Sequence, residues 1–160
     1  MIKTLILLSA FLIASLHAQD SGADNKRPTL YPFDVTIGGQ KAVMQEGNIL
    51  FAVIENPVKP DALLEIEQQA PMLIINAFKV NEKGEVMQPG QQPAIIFARN
   101  TQSTKLDATM DKQQLQAGRY LANIVANGTT SRVVFVVEDK SGKFKVPSLK
   151  SLVDYLKKKQ

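Results

Sequence analysis

The chain has 160 residues, 44% of them hydrophobic and 21% charged, a size and balance that suit one folded domain with its own core. It holds no Cys, no Trp and one His, His17, so disulfide staples, Cys nucleophiles and, beyond residue 17, His-based triads and zinc sites are excluded. The formal charge of +4 is unevenly placed. Residues 19–139 carry 11 Lys/Arg against 14 Asp/Glu, while residues 140–160 carry seven Lys against one Asp, so the basicity belongs to the C-terminal piece.

Residues 1–18 read as a signal peptide. Lys3 supplies the positive start, Leu5 to Leu16 the apolar run, and His17-Ala18 the cut that leaves Gln19 first. The run is too short for a membrane-spanning helix, which weighs against a retained anchor. No Cys follows it to carry a lipid. The expected organisation is a flexible lead-in over 19–28, a β-domain over 29–139, and a basic tail with a helix over 140–160. The expected location is the periplasm or the cell surface.

After the polar lead-in, Phe33, Val35 and Ile37 alternate with Asp34 and Thr36 and predict a first strand, turned by Gly38-Gly39. Lys41 to Gln45 is a second candidate. Ile49 to Ile54 is short and continuously apolar, as a central strand covered on both faces would be. Pro57 and Pro60 should end its pairing. Leu63 to Glu67 predicts a half-exposed strand and Met72 to Val80 another. The loop Asn81 to Gly84 follows, with brief pairing expected at Glu85 to Met87. Ala94 to Ala98 looks like a buried run, and Lys105 to Met110 alternates with Leu106, Ala108 and Met110 on one face.

The strongest local signal lies between Leu115 and Glu138. Asn127-Gly128 separates two apolar runs and predicts a two-residue type I′ hairpin turn, because that turn needs positive φ at both central positions. With that turn, Ala126 faces Thr129, Ile124 faces Ser131, Ala122 faces Val133 and Tyr120 faces Phe135, and this face is assigned to the core. The other face holds Leu121, Val125, Val134 and Val136 and calls for a cover.

The chain closes differently. Leu149, Leu152, Val153 and Leu156 recur at helical spacing after Pro147 and Ser148, the latter a plausible N-cap, and Lys157, Lys158 and Lys159 sit where the helix dipole favours cations. At roughly ten residues such a helix does not stand alone in water, so its apolar stripe must dock on its own sheet or on a partner.

Closely spaced short strands and no long amphipathic stretch before the end predict an all-β fold, a sandwich or barrel. Leu115-Gln-Ala-Gly118-Arg-Tyr120 and the alternating residues after it resemble the closing strand pair of immunoglobulin-like sandwich modules, in which a Tyr hydroxyl turns back onto the backbone. The resemblance implies an Ig-like antiparallel β-sandwich of about 7–9 strands. Ala122 stands where antibody-type domains carry a Cys and no core Trp is present, so the resemblance is to the wider bacterial set of surface and periplasmic modules. Gly118, Tyr120, Asn127, Gly128 and Phe135 are its structural residues.

The residues that could do chemistry weigh little. Glu65 and Glu67 share one strand face and read as a polar outer surface rather than an acid pair in a cleft. Asp107 and Asp111 lack a calcium-loop pattern. Ser141, Ser148 and Ser151 lie near lysines in a polar tail with nothing to desolvate an amine. Asn127-Gly128-Thr129 is formally a glycosylation sequon, but the turn explains the same residues. No aromatic platform accompanies the tail lysines, which argues against nucleic acid.

Together these features imply a non-enzymatic exported module without a cofactor, acting through contacts with a protein partner. A subunit or accessory factor of a surface assembly fits. The alternative is a small secreted ligand-binding or inhibitory protein. Leu149, Leu152, Val153, Leu156 and Lys157 to Lys159 are the candidate interaction residues, and an anionic membrane surface is a second partner class for the lysines.

Overall fold

The computed structural model describes residues 30–45, 50–87, 90, 92–139 and 149–158. The expected signal peptide and lead-in, Pro147, Ser148 and Lys159 lie outside them. The described part is all-β, with one short helix. Its strands are β1 (Val35–Ile37), β2 (Gln40–Lys41), β3 (Ala52–Val53), β4 (Leu63–Val80), β5 (Ala94–Lys105), β6 (Gly118–Ala126) and β7 (Thr129–Val137), followed by α1 (Leu149–Lys157).

The hairpin β6–β7 has the pairing written in the sequence. Asn127 and Gly128 hold φ of 50° and 76°, and Ala126 pairs with Thr129, Ile124 with Ser131, Ala122 with Val133 and Tyr120 with Phe135. The Tyr120 and Phe135 rings stack with centroids 5.7 Å apart. Tyr120 is buried and donates its hydroxyl to the Gln116 carbonyl at 2.8 Å, four residues back along the chain. Gly118 starts β6 with φ of +151°, a conformation that L-residues rarely adopt. A Cβ there would stand 2.7 Å from Lys79 Cε, at the flexible end of that side chain, so the backbone is the stricter constraint. Gly118→Ala is therefore expected to cost about 1–3 kcal/mol. A urea titration would read this as a lower midpoint at unchanged slope, and an unchanged midpoint would show that the position tolerates a side chain.

Strand β4 differs most from the expectation of two separate strands. It runs unbroken from Leu63 to Val80, through Gln68-Gln69-Ala70-Pro71. Its partner along one edge is β5, and the register shifts between Glu65 and Ala70: β4 advances five positions while β5 advances two, from Ser103 to Thr101. The buried residues change parity across this bulge, from Leu64, Ile66 and Ala70 to Leu73, Ile75 and Ala77. Pro71, which has no N–H to offer a ladder, is accommodated beside the irregularity. Gln69 Nε2 donates to the Asn100 carbonyl at 3.1 Å, and Asn127 Nδ2 donates to the Gln69 carbonyl at 3.4 Å, so both neighbouring elements tie the bulge down.

On its other edge, β4 pairs first with β1 at Leu64–Ile66 and then with β6 at Leu73–Val80. The sheet order is β2-β1-β4-β6-β7-β3, with β5 on the outside of β4. The two ends of that path meet: Val43, just past β2, exchanges two backbone hydrogen bonds of 2.9 Å with Val53 of β3. The result is one curled sheet wrapped around a core that includes Val35, Ile37, Ile54, Leu64, Ile75, Tyr120, Ile124 and Phe135. Strand β3 runs parallel to β7, with Ala52 opposite Val133, so the sheet is mixed where an antiparallel arrangement was expected.

Several local expectations need correction. The prolines at 57 and 60 do not end pairing: Val58, between them, donates to the Val136 carbonyl at 2.8 Å and accepts from Glu138 N–H at 2.9 Å, because only the prolines themselves lack donors. The apolar run Ala94 to Ala98 is not a buried strand. It opens a twelve-residue outer strand in which Ile96 alone is buried. Lys105 to Met110 is not a strand beyond the end of β5. Leu106 is buried, Met110 is 68% exposed, and Thr109 makes a single bridge to Ile96. Ile49 lies outside the described residues, but Phe51 to Ile54 is buried on both faces as expected.

Candidate interaction surface

The outward face of β5, β4, β6 and β7 can be read as rows of side chains, because directly paired residues share a face. The first row is Arg99 and Met72. The second is Phe97, Ile74, Val125 and Thr130, and the third is Ile95, Asn76, Asn123 and Arg132. The fourth is Phe78, Leu121, Val134 and, on β3, Val53. The last is Val80, Arg119 and Val136.

Helix α1 covers the fourth row and part of the last. Leu152 and Val153 are buried in a second apolar cluster with Phe51, Val53, Val80 and Val134, and Leu50, Phe78, Leu121 and Leu149 pack against it. Of the two outcomes expected for the helix, its own sheet or a partner, Leu152 and Val153 take the first: they cover the chain's own sheet. Val125 belongs to a row outside that cluster. Leu156 and Lys157 lie within the helix, and Lys158 is exposed. Arg119, buried in the last row, places its guanidinium 3.3 Å from Glu82.

The first three rows lie outside the helix-covered cluster. Met72 is 51% exposed and Phe97 37%, and Ile74, Ile95 and Val125 are half-buried. The Arg99 guanidinium stands 5.3 Å from the centre of the Phe97 ring, a cation–π contact that holds a positive charge on the patch. Arg132 Nε donates to Asn123 Oδ1 at 3.1 Å. These three rows contain two arginines and no carboxylate.

Glu65 and Glu67 are exposed, and Glu67 Oε2 lies 3.5 Å from the Asp34 backbone N–H. Asp111 accepts the Gln113 N–H at 3.0 Å, and this bond, with help from Thr109, lowers its pKa below the ordinary carboxylate value. Among the described residues, no three His, Cys, Asp or Glu are grouped to hold a metal. A small cleft of about 160 Å³ lies where Gln92, Gln113 and Gln116 approach Lys79 and Tyr120, with Phe78, Pro93 and Leu115 also in its lining.

The class defined by these observations is an all-β protein with a curled mixed sheet and a helix docked on its outer face. Comparison with models of known families, with curated proteins and with solved structures finds no match.

Phe97, Met72, Ile74, Arg99 and Asn76 do not stand out in the sequence. Taking Ala94 to Ala98 as buried and dividing β4 in two conceals that these residues share a face. The usable signal is the charge in Ala98-Arg99-Asn100, which suits an outer strand better than a central one.

Proposed function

We propose that the protein is an exported, non-enzymatic Ig-like module that acts through protein–protein contacts made by the open half of its outer sheet face. The observation that carries this is the exposure of Met72 and Phe97 in a row-ordered apolar patch beside a helix that already covers the rest of that face. Contiguous exposed apolar surface of this kind marks interaction sites in soluble proteins. Export is supported by the leader-like residues 1–18. The Ig-like character is supported by the resemblance around Gly118-Arg119-Tyr120, together with the Tyr120–Gln116 hydrogen bond. An accessory or subunit role in an envelope assembly is the corresponding biological role.

The test is site-specific photo-crosslinking in the native envelope, with a photoreactive phenylalanine analogue at position 97 and, as control, at the exposed position 65 on the other half of β4. A discrete protein adduct from position 97 alone is expected. Equal labelling from both positions, or none from 97, would reject this face as the interface.

A further inference from the structure

We infer that the partner surface recognised by this face is apolar and acidic: a protein segment whose aliphatic side chains lie on the Phe97–Ile74–Val125 row and whose carboxylates meet Arg99 and Arg132. This rests on the reading of the face as an interface and adds the chemistry of what binds it.

The two guanidinium groups belong to opposite corners of the patch. Arg99 is on β5 and Arg132 on β7, three strand spacings or roughly 14 Å apart across the sheet and two rows or roughly 13 Å apart along it. Arg99 is exposed, and its contact with Phe97 fixes it beside the apolar row. Arg132 spends its Nε on Asn123 and retains its other N–H groups for an acceptor. Guanidinium pairs carboxylate through two parallel hydrogen bonds, which fixes orientation as well as charge.

The same arrangement argues against a second copy of this chain. The three rows hold no Asp or Glu, so stacking two such faces would bring four arginines together with no counter-charge between them. It also argues against lipid. Asn76 and Asn123 sit side by side in the middle of the face; Asn123 Oδ1 keeps Arg132, but the amide N–H groups of both residues would lose water against hydrocarbon. A protein segment supplies fixed acceptors and donors to such amides.

Isotope-labelled protein titrated with defined probes tests this by NMR. The probes are a capped octapeptide of alternating valine and glutamate, the same peptide with lysine for glutamate, and vesicles of phosphatidylglycerol mixed with phosphatidylcholine. The valine–glutamate peptide is expected to shift signals of Ile74, Phe97, Arg99 and Val125. Arg99→Glu should weaken that binding by about threefold or more, and added salt should weaken it too. The lysine peptide should shift nothing. The spectrum itself reports whether each variant is folded, and Arg132→Gln provides a second variant at the other side.

Three results would overturn the inference: no preference between the two peptides, binding to vesicles in place of the acidic peptide, or concentration-dependent shifts of the same signals without any probe. If position 97 crosslinks to a protein while the acidic peptide leaves the patch unshifted, the interface survives and the charge rule fails. If position 97 yields no adduct, the interface itself fails, whatever the peptides do.

Discussion

Replacing Leu152 by aspartate is expected to detach α1 and remove about 3–5 kcal/mol of stability. Leu152 is fully buried between the helix and the outer sheet face, in the cluster that holds Phe51, Val53 and Val134. A carboxylate there has to be desolvated, and the aliphatic contacts are lost with it. The milder Leu152→Ala should cost about 2–5 kcal/mol by the same packing argument without the charge. Lys158→Ala, at an exposed position near the end of the helix, should change stability by less than about 0.5 kcal/mol. Urea midpoints for the three variants decide the matter. If Leu152→Asp unfolds with the wild-type midpoint, the helix does not contribute to the domain. Truncation after Asp139 should reproduce the loss and increase binding of a dye that reports exposed apolar surface.

The second large effect is expected at alkaline pH. Burial pushes the Tyr120 hydroxyl from 10.0 up to about 12. The neutral phenol is thus the form the fold prefers. A group whose folded pKa is raised contributes stability that is fully present below the unfolded pKa and is lost as pH rises through the folded one. The contribution of Tyr120 should therefore be intact below about pH 9 and fall by about 1–3 kcal/mol between about pH 10 and 12, because the folded phenol holds its proton more tightly than the unfolded one. Tyr120→Phe should abolish that part of the alkaline loss. At neutral pH the same substitution should cost about 1–3 kcal/mol, because it leaves the Gln116 carbonyl without its donor. Urea denaturation at neutral, mildly alkaline and strongly alkaline pH reads both effects. Parallel pH dependence in wild type and variant would remove Tyr120 as the source.

The parts of the fold legible in the sequence are those set by local chemistry. Asn127-Gly128 demands positive φ twice, so the turn, the register and the core face of β6–β7 all follow from two residues. The spacing of Leu149, Leu152 and Val153 gives the helix, and the apolar residues on the second face of β6–β7 indicate that something must cover it. What was not legible depends on pairings between distant segments. Pro71 reads as a strand breaker, yet β4 passes it because the bulge beside it absorbs three residues that β5 does not match. Likewise, nothing within Ala52-Val53 specifies a parallel partner; β3 runs parallel to β7 only because the sheet curls far enough to bring them together. The exposed patch was hidden for the same reason. Ile95, Phe97 and Ile74 are as apolar as core residues, and only the register of an outer strand puts them outside.

The parallel pairing of β3 with β7 also sets an order of events. Ala52 and Val53 are synthesised early, but their partners Val133 and Val134 come near the end of the domain. Until β7 exists, β3 has, among the described residues, the short bridge to Val43, and β6 lacks the neighbour on one of its edges. A ring closed by contacts so far apart in sequence folds slowly relative to one built from local hairpins, since the entropy of closing the long loop is met before the contacts form. The segment that closes the ring is Thr129–Val137, which pairs with the early strand along one edge and with its hairpin partner along the other.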